Sequence, residues 1–482
     1  MNSTHQPRTI EKSKLPGDII HCFKPDGNHL VVNGLYNDHD NESVREAAYK
    51  IFLYPDNHQE NLLIELIEAR LKLAKTCGFE SYAHRAVKRS IADTPEAVME
   101  FLDCLNENLL PLSNSDFQQM LNLKIQENRH AKSLKAWDIV YYTSVFKHNK
   151  YSQDITSCAP YFSLGSCIEG LNLIFNCLFG VHFDVCQTKS GELWHHDVVK
   201  LRVIDNQTNE TLGCIYCDFF ERPIKPHHDC HFTIQGGCQL DGKYQKPIVV
   251  LMLNLPKPTI DSPSLLSPHL VDNLFHEMGH AMHSMLARTP YQHITGTRCS
   301  TDLAEVPSIL MEFFASDSRI VKSFAKHFQT GQQIPNNLLE SWIQSKGVFL
   351  ASDMQLQVFY SALDQAFHSS DPLKGNRKTT EILAQIQKKY HNLEHVPDTA
   401  WQLRFGHLVG YGAKYYSYLT SKSVAYAIWN KLFINDPLNS KAGQKFKQDV
   451  LSHGGGKPPK DIVNSVLETQ VSPKFVANSL LD

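Results

Sequence analysis

The segment Asn273-Leu274-Phe275-His276-Glu277-Met278-Gly279-His280 decides how this chain is interpreted. Its two histidines stand at positions i and i+4, so on a helix their imidazoles lie on one face about one turn apart. Both rings can then reach one ion at roughly 2.0–2.1 Å, the usual Zn–N distance in proteins. Glu277 follows the first histidine, where a carboxylate is typical of the base that deprotonates a metal-activated water. The pattern therefore predicts a zinc site that carries its own base.

The residues around this segment favour a half-buried helix. Pro268 and Asp272 are typical of a helix start. Apolar side chains recur at three- and four-residue spacing, at Leu270, Leu274, Met278, Ala281, Met282 and Met285. The alternative is a helix that carries two histidines by chance, in a chain with 25 of them. The helical context favours the metal site.

A catalytic zinc ion usually takes three protein ligands and leaves one position for water. His283 lies on nearly the same helical face as His276, but about 10.5 Å farther along the helix axis. We therefore expect His283 to pack beside the site without binding the ion. The longer motif with a glycine and a third histidine is absent, because position 283 is His and position 286 is Leu.

Glu305 is the better third ligand. It lies in the stretch Asp302-Leu303-Ala304-Glu305-Val306-Pro307-Ser308, just before a second apolar run over residues 309–314. The alternative is a capping box with Asp302 as the N-cap and Glu305 three residues later. Two helices that contribute His, His and Glu match a common ligand set of zinc peptidases, which favours the metal interpretation. Glu312 is expected to support the ligands.

These segments resemble the thimet oligopeptidase family of zinc metallopeptidases, and most closely its members that process mitochondrial precursors. The resemblance covers most of the chain from about Glu42 onward. The matching motifs are His276-Glu277-Met278-Gly279-His280-Ala281-Met282-His283, Gly296-Thr297-Arg298-Cys299, the stretch 302–308, Trp194-His195-His196-Asp197-Val198, Arg404-Phe405-Gly406-His407-Leu408-Val409-Gly410-Tyr411 and Tyr415-Tyr416-Ser417-Tyr418.

The resemblance implies one bound Zn²⁺ ion. It makes His276, His280 and Glu305 the zinc ligands and Glu277 the catalytic base. Asp272 matches a family carboxylate that orients a zinc-binding histidine, as supporting interactions around metal sites commonly do.

The segment that contains His407 is a second candidate for catalysis. It combines glycines with hydrogen-bond donors, which could reach the oxyanion formed when water attacks a peptide carbonyl. The alternative is aromatic core packing, which we favour for Tyr416. For Tyr418, Tyr411 and His407 the resemblance implies substrate binding and transition-state stabilisation.

The pattern of elements predicts a mainly α fold, a zincin-like helical catalytic domain with a small β-sheet beside the zinc helix. We expect a poorly defined amino-terminal segment (1–41), a helical region (42–190) and one peptidase region (191–482) whose sheet occupies 191–256. The resemblance implies two helical halves that face each other across a deep channel. Most of the region that builds the amino-terminal half has no counterpart here, so we expect an incomplete channel.

Composition restricts the partners. The 482 residues are 42% hydrophobic and carry a net charge of −3 with mixed signs, which gives no electrostatic case for nucleic acid or an anionic membrane. The apolar run 248–253 is too short to span a bilayer, and residues 1–18 match neither a secretory nor an import signal. We expect a monomer whose partner is a peptide or precursor protein.

The cysteines and a further histidine cluster give only weak indications of redox or metal-binding sites. Twelve scattered cysteines indicate reduced thiols in an intracellular compartment. Cys214 and Cys217 could form a redox or metal pair, but in a strand they point to opposite faces. The run His227-His228-Asp229-Cys230-His231 could bind a second metal, although no matching cluster exists elsewhere in the sequence.

The expected reaction is zinc-dependent hydrolysis of internal peptide bonds. The resemblance implies a narrower task, the removal of a short amino-terminal octapeptide from imported precursors in the mitochondrial matrix. A general oligopeptidase that degrades free short peptides in cytosol or matrix is the alternative. A third hypothesis is a noncatalytic, truncated form that only binds peptides.

Overall fold

The computed structural model describes residues 7–481, without the side chains of residues 152–156 and 376. The strands are β1 (Arg8–Glu11), β2 (Lys24–Asp26), β3 (His29–Val32), β4 (Val181–Val185), β5 (Val199–Asp205), β6 (Thr211–Phe220), β7 (Cys230–Gln235), β8 (Cys238–Leu240), β9 (Lys243–Gln245) and β10 (Ile248–Leu255). The α-helices are α1 (Glu42–Phe52), α2 (Asn57–Thr76), α3 (Tyr82–Val87), α4 (Pro95–Glu127), α5 (Ile139–Thr156), α6 (Leu164–Phe179), α7 (Pro268–Leu286), α8 (Thr301–Ala304), α9 (Val306–Ser316), α10 (Ser318–Phe324), α11 (Asn336–Lys346), α12 (Leu350–Phe367), α13 (Thr379–Tyr390), α14 (His407–Gly410), α15 (Ser417–Leu432), α16 (Ser440–Phe446), α17 (Pro459–Leu467) and α18 (Pro473–Ser479).

The mainly α fold with a small sheet is confirmed. The helices begin where the sequence offers capping side chains, which accept the otherwise unpaired N–H groups of the first turn. Asn41, Asp56, Ser81 and Thr94 cap α1 to α4 in this way. The helix α4 runs through Pro111, beyond the apolar pattern at 95–109. Burial continues on both sides of this proline, and α4 packs against α12, which compensates for the missing backbone hydrogen bond.

The chain folds into two compact units that are interleaved in sequence. The first unit consists of Met1–Lys88, Asp93–Lys150 and Gly347–Tyr416, of which residues 1–6 lie outside the described part. The second unit consists of Arg89–Ala92, Tyr151–Lys346 and Ser417–Asp482. This division differs from the linear division expected at 42 and 191. Apolar periodicity shows that a helix has a buried face, but not which distant segment covers it.

The first unit begins with a small sheet. Its strands β1, β3 and β2 pair antiparallel in that order, and α1 packs against β1 and β3. Their shared core contains Ile19, Phe23, Leu30, Val32, Val44, Ala48, Phe52 and Leu53. The region 8–32, expected to be poorly defined, therefore has regular structure and shares an apolar core with α1.

A buried group of charged side chains also stabilises the first unit. Asp138 is fully buried, and its two carboxylate oxygens accept hydrogen bonds from Arg45 (3.1 Å) and Lys124 (2.6 Å). The ammonium group of Lys124 also donates to Glu42 at 2.6 Å. Each buried charge thus has an opposite charge beside it, as removal from water requires.

The sheet of the second unit has the strand order β4-β5-β6-β10-β7 within the described residues. Strands β6 and β10 are parallel, and the other neighbours pair antiparallel. The predicted strands correspond to β5, β6, β7 and β10. The sheet nevertheless begins before residue 191, because Gly180 ends α6 in a left-handed conformation and β4 follows directly.

No helix in the described part of the chain is long and apolar enough to cross a membrane. No disulfide bond joins the cysteines in the described part of the chain. Cys217 is buried in β6, whereas Cys214 is partly exposed, as their strand spacing predicts.

The buried charge group yields a stability prediction. Asp138→Asn should lower the free energy of unfolding by about 3–5 kcal/mol, because two buried cations lose their shared carboxylate. Urea unfolding measures the change. Glu46→Gln is the control, because Glu46 forms only an exposed helical pair with Lys50, worth less than about 0.5 kcal/mol. Equal, small effects of the two substitutions would contradict a structural role for the buried group.

Candidate metal site

The helix α7 presents the two histidines and Glu277. The hydroxyl of Ser267 caps its first turn, and Pro268 occupies the first helical position, where a missing N–H costs nothing. Leu274, Met278 and other apolar residues of the predicted stripe are buried. The rings of His276 and His280 meet edge to face with their centroids 5.0 Å apart, as an i, i+4 pair should.

Close packing of α7 against α9 brings the third candidate ligand to the histidines. A Cβ atom at Gly279 would lie 2.7 Å from the Cα of Ser308 and 2.8 Å from the carbonyl oxygen of Pro307. Only glycine permits this approach at position 279. Glu305 stands immediately before α9, so the same contact places its carboxylate beside the imidazoles.

The three candidate ligands converge on one point. The Nε2 atoms of His276 and His280 lie 3.4 and 3.2 Å from Oε2 of Glu305, and all three ligand atoms lie within 4.8 Å of one another. A tetrahedral ion at roughly 2.0–2.1 Å from each ligand would set those ligands roughly 3.3 Å apart. Two imidazole nitrogens and one carboxylate oxygen also suit zinc chemically. The donor set therefore fits a divalent metal ion.

The charges at this point favour a cation. Burial alone would lower the pKa of His276, but the Glu305 and Glu312 carboxylates outweigh burial and raise it to about 10. Burial alone would raise the pKa of Glu305, but hydrogen bonds with His276 and His280 hold it below its ordinary value. Without metal, the carboxylates thus keep a proton on an imidazole. A divalent ion can take the place of that positive charge.

Two side chains orient the ligands. His276 donates from Nδ1 to Oε1 of Glu312 at 2.6 Å, which leaves its Nε2 directed at Glu305. The hydroxyl of Ser308 lies 2.9 Å from the backbone carbonyl oxygen of Glu305 and 3.2 Å from its Oε2, so its one proton can serve either acceptor of this ligand. Glu312 was expected to support the site, whereas Ser308 was not recognised in the sequence. Its position three residues after Glu305 is the signal that could have identified it.

The assignment of Asp272 as the orienting carboxylate is wrong for this structure. Asp272 accepts a hydrogen bond from the ammonium group of Lys346 at 2.6 Å, and Lys346 also donates to Ser316 at 2.7 Å. Glu312 fills the expected role because α9 packs on α7 and brings its carboxylate to the free nitrogen of His276. The helix spacing of Asp272 alone could not reveal that contact.

Glu277 lies next to the candidate ligands on α7. It is 7% exposed, and burial raises the pKa of its carboxyl group above the ordinary value. One of its oxygens, Oε2, has no hydrogen-bond partner among the described residues. A buried carboxylate with unused acceptor capacity can receive a proton from a water molecule or donate one to a substrate atom.

The alternatives raised by the sequence do not match the contacts. Ser300, not Asp302, stands at the N-cap position of α8, without a side-chain capping hydrogen bond, and the carboxylate of Asp302 accepts the backbone N–H of Ile91 at 2.9 Å. Glu305 makes no capping hydrogen bond. His283 is fully buried and lies outside the group of converging ligands.

Other histidine clusters have different surroundings. In the run 227–231, Asp229 accepts from Asn273 at 2.6 Å, and His231 contacts the hydroxyl of Ser284 at 3.1 Å. His195, His196 and Asp197 also lie close together, but the ammonium group of Lys257 is 2.8 Å from Asp197 and already supplies a positive charge.

Tyr418 lies at the start of α15, in the same unit as the candidate metal ligands. Ser421, one helical turn later, donates to the carbonyl oxygen of Asp302 at 2.8 Å. Residues three apart share a helical face, so Tyr418 lies on the face of α15 that meets the segment leading to Glu305.

His407 and Tyr411 belong to the first unit. The ring of His407 packs edge to face against Tyr415 at 4.9 Å, and burial lowers the pKa of its imidazole below the ordinary value. Tyr411 is 37% exposed, whereas Tyr416 is buried as expected for a core residue.

Comparison with known proteins identifies the family of this chain. Residues 35–480 match the model of the family described as peptidase family M3. The chain is 51% identical over 466 residues to "Mitochondrial intermediate peptidase" of Mus musculus, which covers 96% of this chain and 65% of that protein. The protein of the same name in Homo sapiens is 49% identical over 96% of this chain and 65% of its own length.

A plant relative is more distant. "Mitochondrial intermediate peptidase, mitochondrial" of Arabidopsis thaliana is 34% identical over 96% of this chain and 65% of that protein. The chain thus spans about 65% of the length of each of these three relatives. Among solved structures, "PZ peptidase A with inhibitor 2" aligns over 95% of this chain and 71% of that chain, with a TM-score of 0.52 and 14% identity. That likeness concerns the fold alone.

The packing of α7 against α9 can be tested directly. Gly279→Ala should destabilise the protein by about 1–3 kcal/mol, because the new methyl group collides with backbone atoms of α9. Thermal unfolding measures the loss. Gly165→Ala in α6 is the control, since nothing lies within 4 Å of its added Cβ. A Gly279→Ala protein as stable as the control would exclude a tight contact.

The role of Glu312 can be tested through metal affinity. Glu312→Gln should weaken the binding of a divalent metal about 10- to 100-fold, because His276 loses the carboxylate that orients it. Competition with a chelating indicator measures the affinity. Asp272→Asn removes a carboxylate from α7 that pairs with Lys346 and should have a smaller effect. Equal losses in both variants would contradict the special role of Glu312.

Proposed function

Since this chain belongs to peptidase family M3, we propose that it is a zinc-dependent endopeptidase that hydrolyses internal peptide bonds. The observation that carries the proposal is the convergence of His276, His280 and Glu305, with Glu277 on the same helix. The family implies a divalent metal, and this donor set favours zinc.

His276, His280 and Glu305 hold the ion in this proposal. When bound, zinc supplies Lewis-acid chemistry, which lowers the pKa of a water molecule and polarises the scissile carbonyl group. Glu305 contributes one negative charge, so the site keeps a net positive charge that favours an attacking water and a developing oxyanion. Glu312 and Ser308 keep the ligands in place while water attacks the carbonyl group.

Glu277 is the general base. It accepts a proton from the attacking water and then delivers that proton to the leaving amine nitrogen. Its burial supports this role, because a carboxylate with a raised pKa accepts a proton more readily than an exposed one.

Tyrosine and histidine side chains stabilise the oxyanion. Tyr418 is assigned this role because its helix is anchored next to Glu305 and because its motif resembles that of the family. Tyr411 and His407 are assigned to substrate binding and to oxyanion stabilisation by the resemblance of their segment. A phenol or imidazole N–H aimed at the developing negative charge accelerates such reactions more than it strengthens substrate binding.

An extended substrate pairs with the edge of the sheet in this proposal. Strand β7 is the last strand in the order, so its outer edge has no neighbouring strand within the described residues. It packs against α7, and its residue His231 contacts Ser284 of that helix. Backbone pairing at such an edge holds a peptide while reading few of its side chains.

The substrate class is proposed from the family resemblance of the motifs, together with the names of the relatives. We propose that the protein acts in the mitochondrial matrix and removes an amino-terminal octapeptide from imported precursors that have been cleaved once. The matching proteins of mouse, human and Arabidopsis are named as mitochondrial intermediate peptidases, which supports this assignment. A general oligopeptidase remains the second candidate, because edge pairing by itself gives little side-chain specificity.

The assignment of Glu277 as the base and of Glu305 as a metal ligand predicts that substitutions of these two residues affect zinc content and turnover differently. Glu277→Gln should retain zinc but lose turnover of a quenched peptide by at least about 100-fold, because the general base is removed. Glu305→Ala should lose both zinc and turnover, since one of three ligands is gone. Atomic absorption measures the metal in both variants. Undiminished turnover by Glu277→Gln, or full zinc content in Glu305→Ala, would refute the corresponding assignment.

Substrate preference separates the candidate functions. A precursor that has already lost its first presequence segment should be cleaved once, at a much higher kcat/KM than unrelated short peptides. Mass spectrometry of the products identifies the bond. Similar rates for all peptides would favour a general oligopeptidase, and a zinc-loaded protein that binds peptides without cutting them would support the noncatalytic form.

A further inference from the structure

The segment 406–416 of the first unit contains a strained residue held by hydrogen bonds. Ala413 has a φ of +61°, a left-handed conformation that is unfavourable for a residue with a Cβ atom. It is fully buried, its N–H donates to Oδ1 of Asp364 at 2.8 Å, and its carbonyl oxygen accepts from Gln365 at 2.9 Å. Both partners are on α12. This conformation persists because the neighbouring helix supplies both hydrogen bonds.

The carboxylate of Asp364 serves this segment twice. Its second oxygen, Oδ2, accepts the N–H of Tyr415 at 3.0 Å. Asp364 is 2% exposed, and besides these backbone donors Nδ1 of His368 lies 3.1 Å from its Oδ1. The backbone on the carboxyl-terminal side of Tyr411 is therefore fixed to α12.

Arg70 of α2 fixes the other side of Tyr411. Its guanidinium group donates to the carbonyl oxygen of Leu408 and, at 2.9 Å, to that of Val409. These carbonyls belong to the short helix α14, which ends just before Tyr411. The planar fork of arginine suits two neighbouring acceptors, and a lysine could not reproduce that geometry.

His368 connects the two anchoring residues. Its Nδ1 hydrogen bonds with the carbonyl oxygen of Asp364 at 2.7 Å, and its Nε2 lies 3.1 Å from Nη1 of Arg70. Arginine only donates, so Nε2 accepts and the proton is on Nδ1. A Cβ atom at Gly412 would lie 2.7 Å from Cζ of Arg70 and 2.8 Å from Nε2 of His368. A methyl group at position 412 would therefore displace the guanidinium group of Arg70 or the ring of His368.

We propose that Asp364 and Arg70 are positioning residues, which hold the backbone on both sides of Tyr411 so that Tyr411 and His407 are presented to the substrate in one arrangement. The inference rests on the proposed function, which assigns Tyr411 and His407 to the substrate. Neither Asp364 nor Arg70 takes part in the chemistry. They act by restricting a segment whose glycines would otherwise allow many backbone conformations.

Hydrogen exchange tests the anchoring without any need for activity. In Asp364→Ala, the amides of a peptic peptide that covers 406–416 should exchange roughly 10-fold faster or more, the usual effect of losing a hydrogen bond to a charged group. Asp116→Ala is the matched control, because Asp116 lies in the same unit and its carboxylate accepts the N–H of Ser352 in the first turn of α12. Unchanged exchange in Asp364→Ala would overturn the proposal.

Kinetics of the full chain test the catalytic consequence. Asp364→Asn should lower kcat/KM for a quenched peptide with zinc content unchanged. Combined with Tyr411→Phe, it should cost little beyond the larger single effect, because both substitutions impair the same hydrogen-bond donor. The effects of Asp116→Asn and Tyr411→Phe on kcat/KM should instead multiply independently. If Asp364 has a purely structural role, the effects of Asp364→Asn and Tyr411→Phe on kcat/KM should also multiply independently. That result would refute the proposal.

Arg70→Lys provides a second variant in case the buried Asp364 cannot be replaced without unfolding. It keeps the positive charge but loses the fork, so it should raise exchange in 406–416 and show the same non-additivity with Tyr411→Phe. If the unmodified protein has no turnover, the proposed function fails. Hydrogen exchange then still decides whether Asp364 and Arg70 order the segment.

Discussion

The close contact between α7 and α9 at Gly279 is the constraint on which the candidate metal site depends. It brings a carboxylate from one helix between two imidazoles of the other. Isolated charges in such a buried place would be costly, and the pairing of Glu305 with His276 and His280 offsets that cost. The opposite pKa shifts of His276 and Glu305 express the same coupling. This arrangement suits a cation of higher charge than a proton.

The residues around this contact form a rigid support. Glu312 and Ser308 orient two of the ligands, and Ser421 ties α15 to the segment before Glu305. All of these groups lie on helices or directly beside them, and helices hold side chains more accurately than loops do. In the first unit, the segment that carries Tyr411 is irregular instead. There the buried side chains of Asp364 and Gln365 supply the order that regular hydrogen bonding would otherwise give.

Much of the fold and of the candidate site could be predicted because the signals are local. The apolar spacing in α7 marks its buried face, and the i, i+4 spacing of His276 and His280 follows from helix geometry alone. The order of strands in the sheet could not be predicted, since the parallel pair β6 and β10 is joined by a long excursion that includes β7. The structure of residues 8–32 was missed because short strands carry few periodic positions.

The sequence by itself determined the helical class, the identity of the candidate metal ligands and the carboxylate next to the first histidine. All of these depend on residues close together in the chain. Only the tertiary structure decided that Glu312 rather than Asp272 orients His276, and that Asp364 and Arg70 hold the segment around Tyr411. Those contacts join positions far apart in sequence, where packing of one helix on another selects the partner.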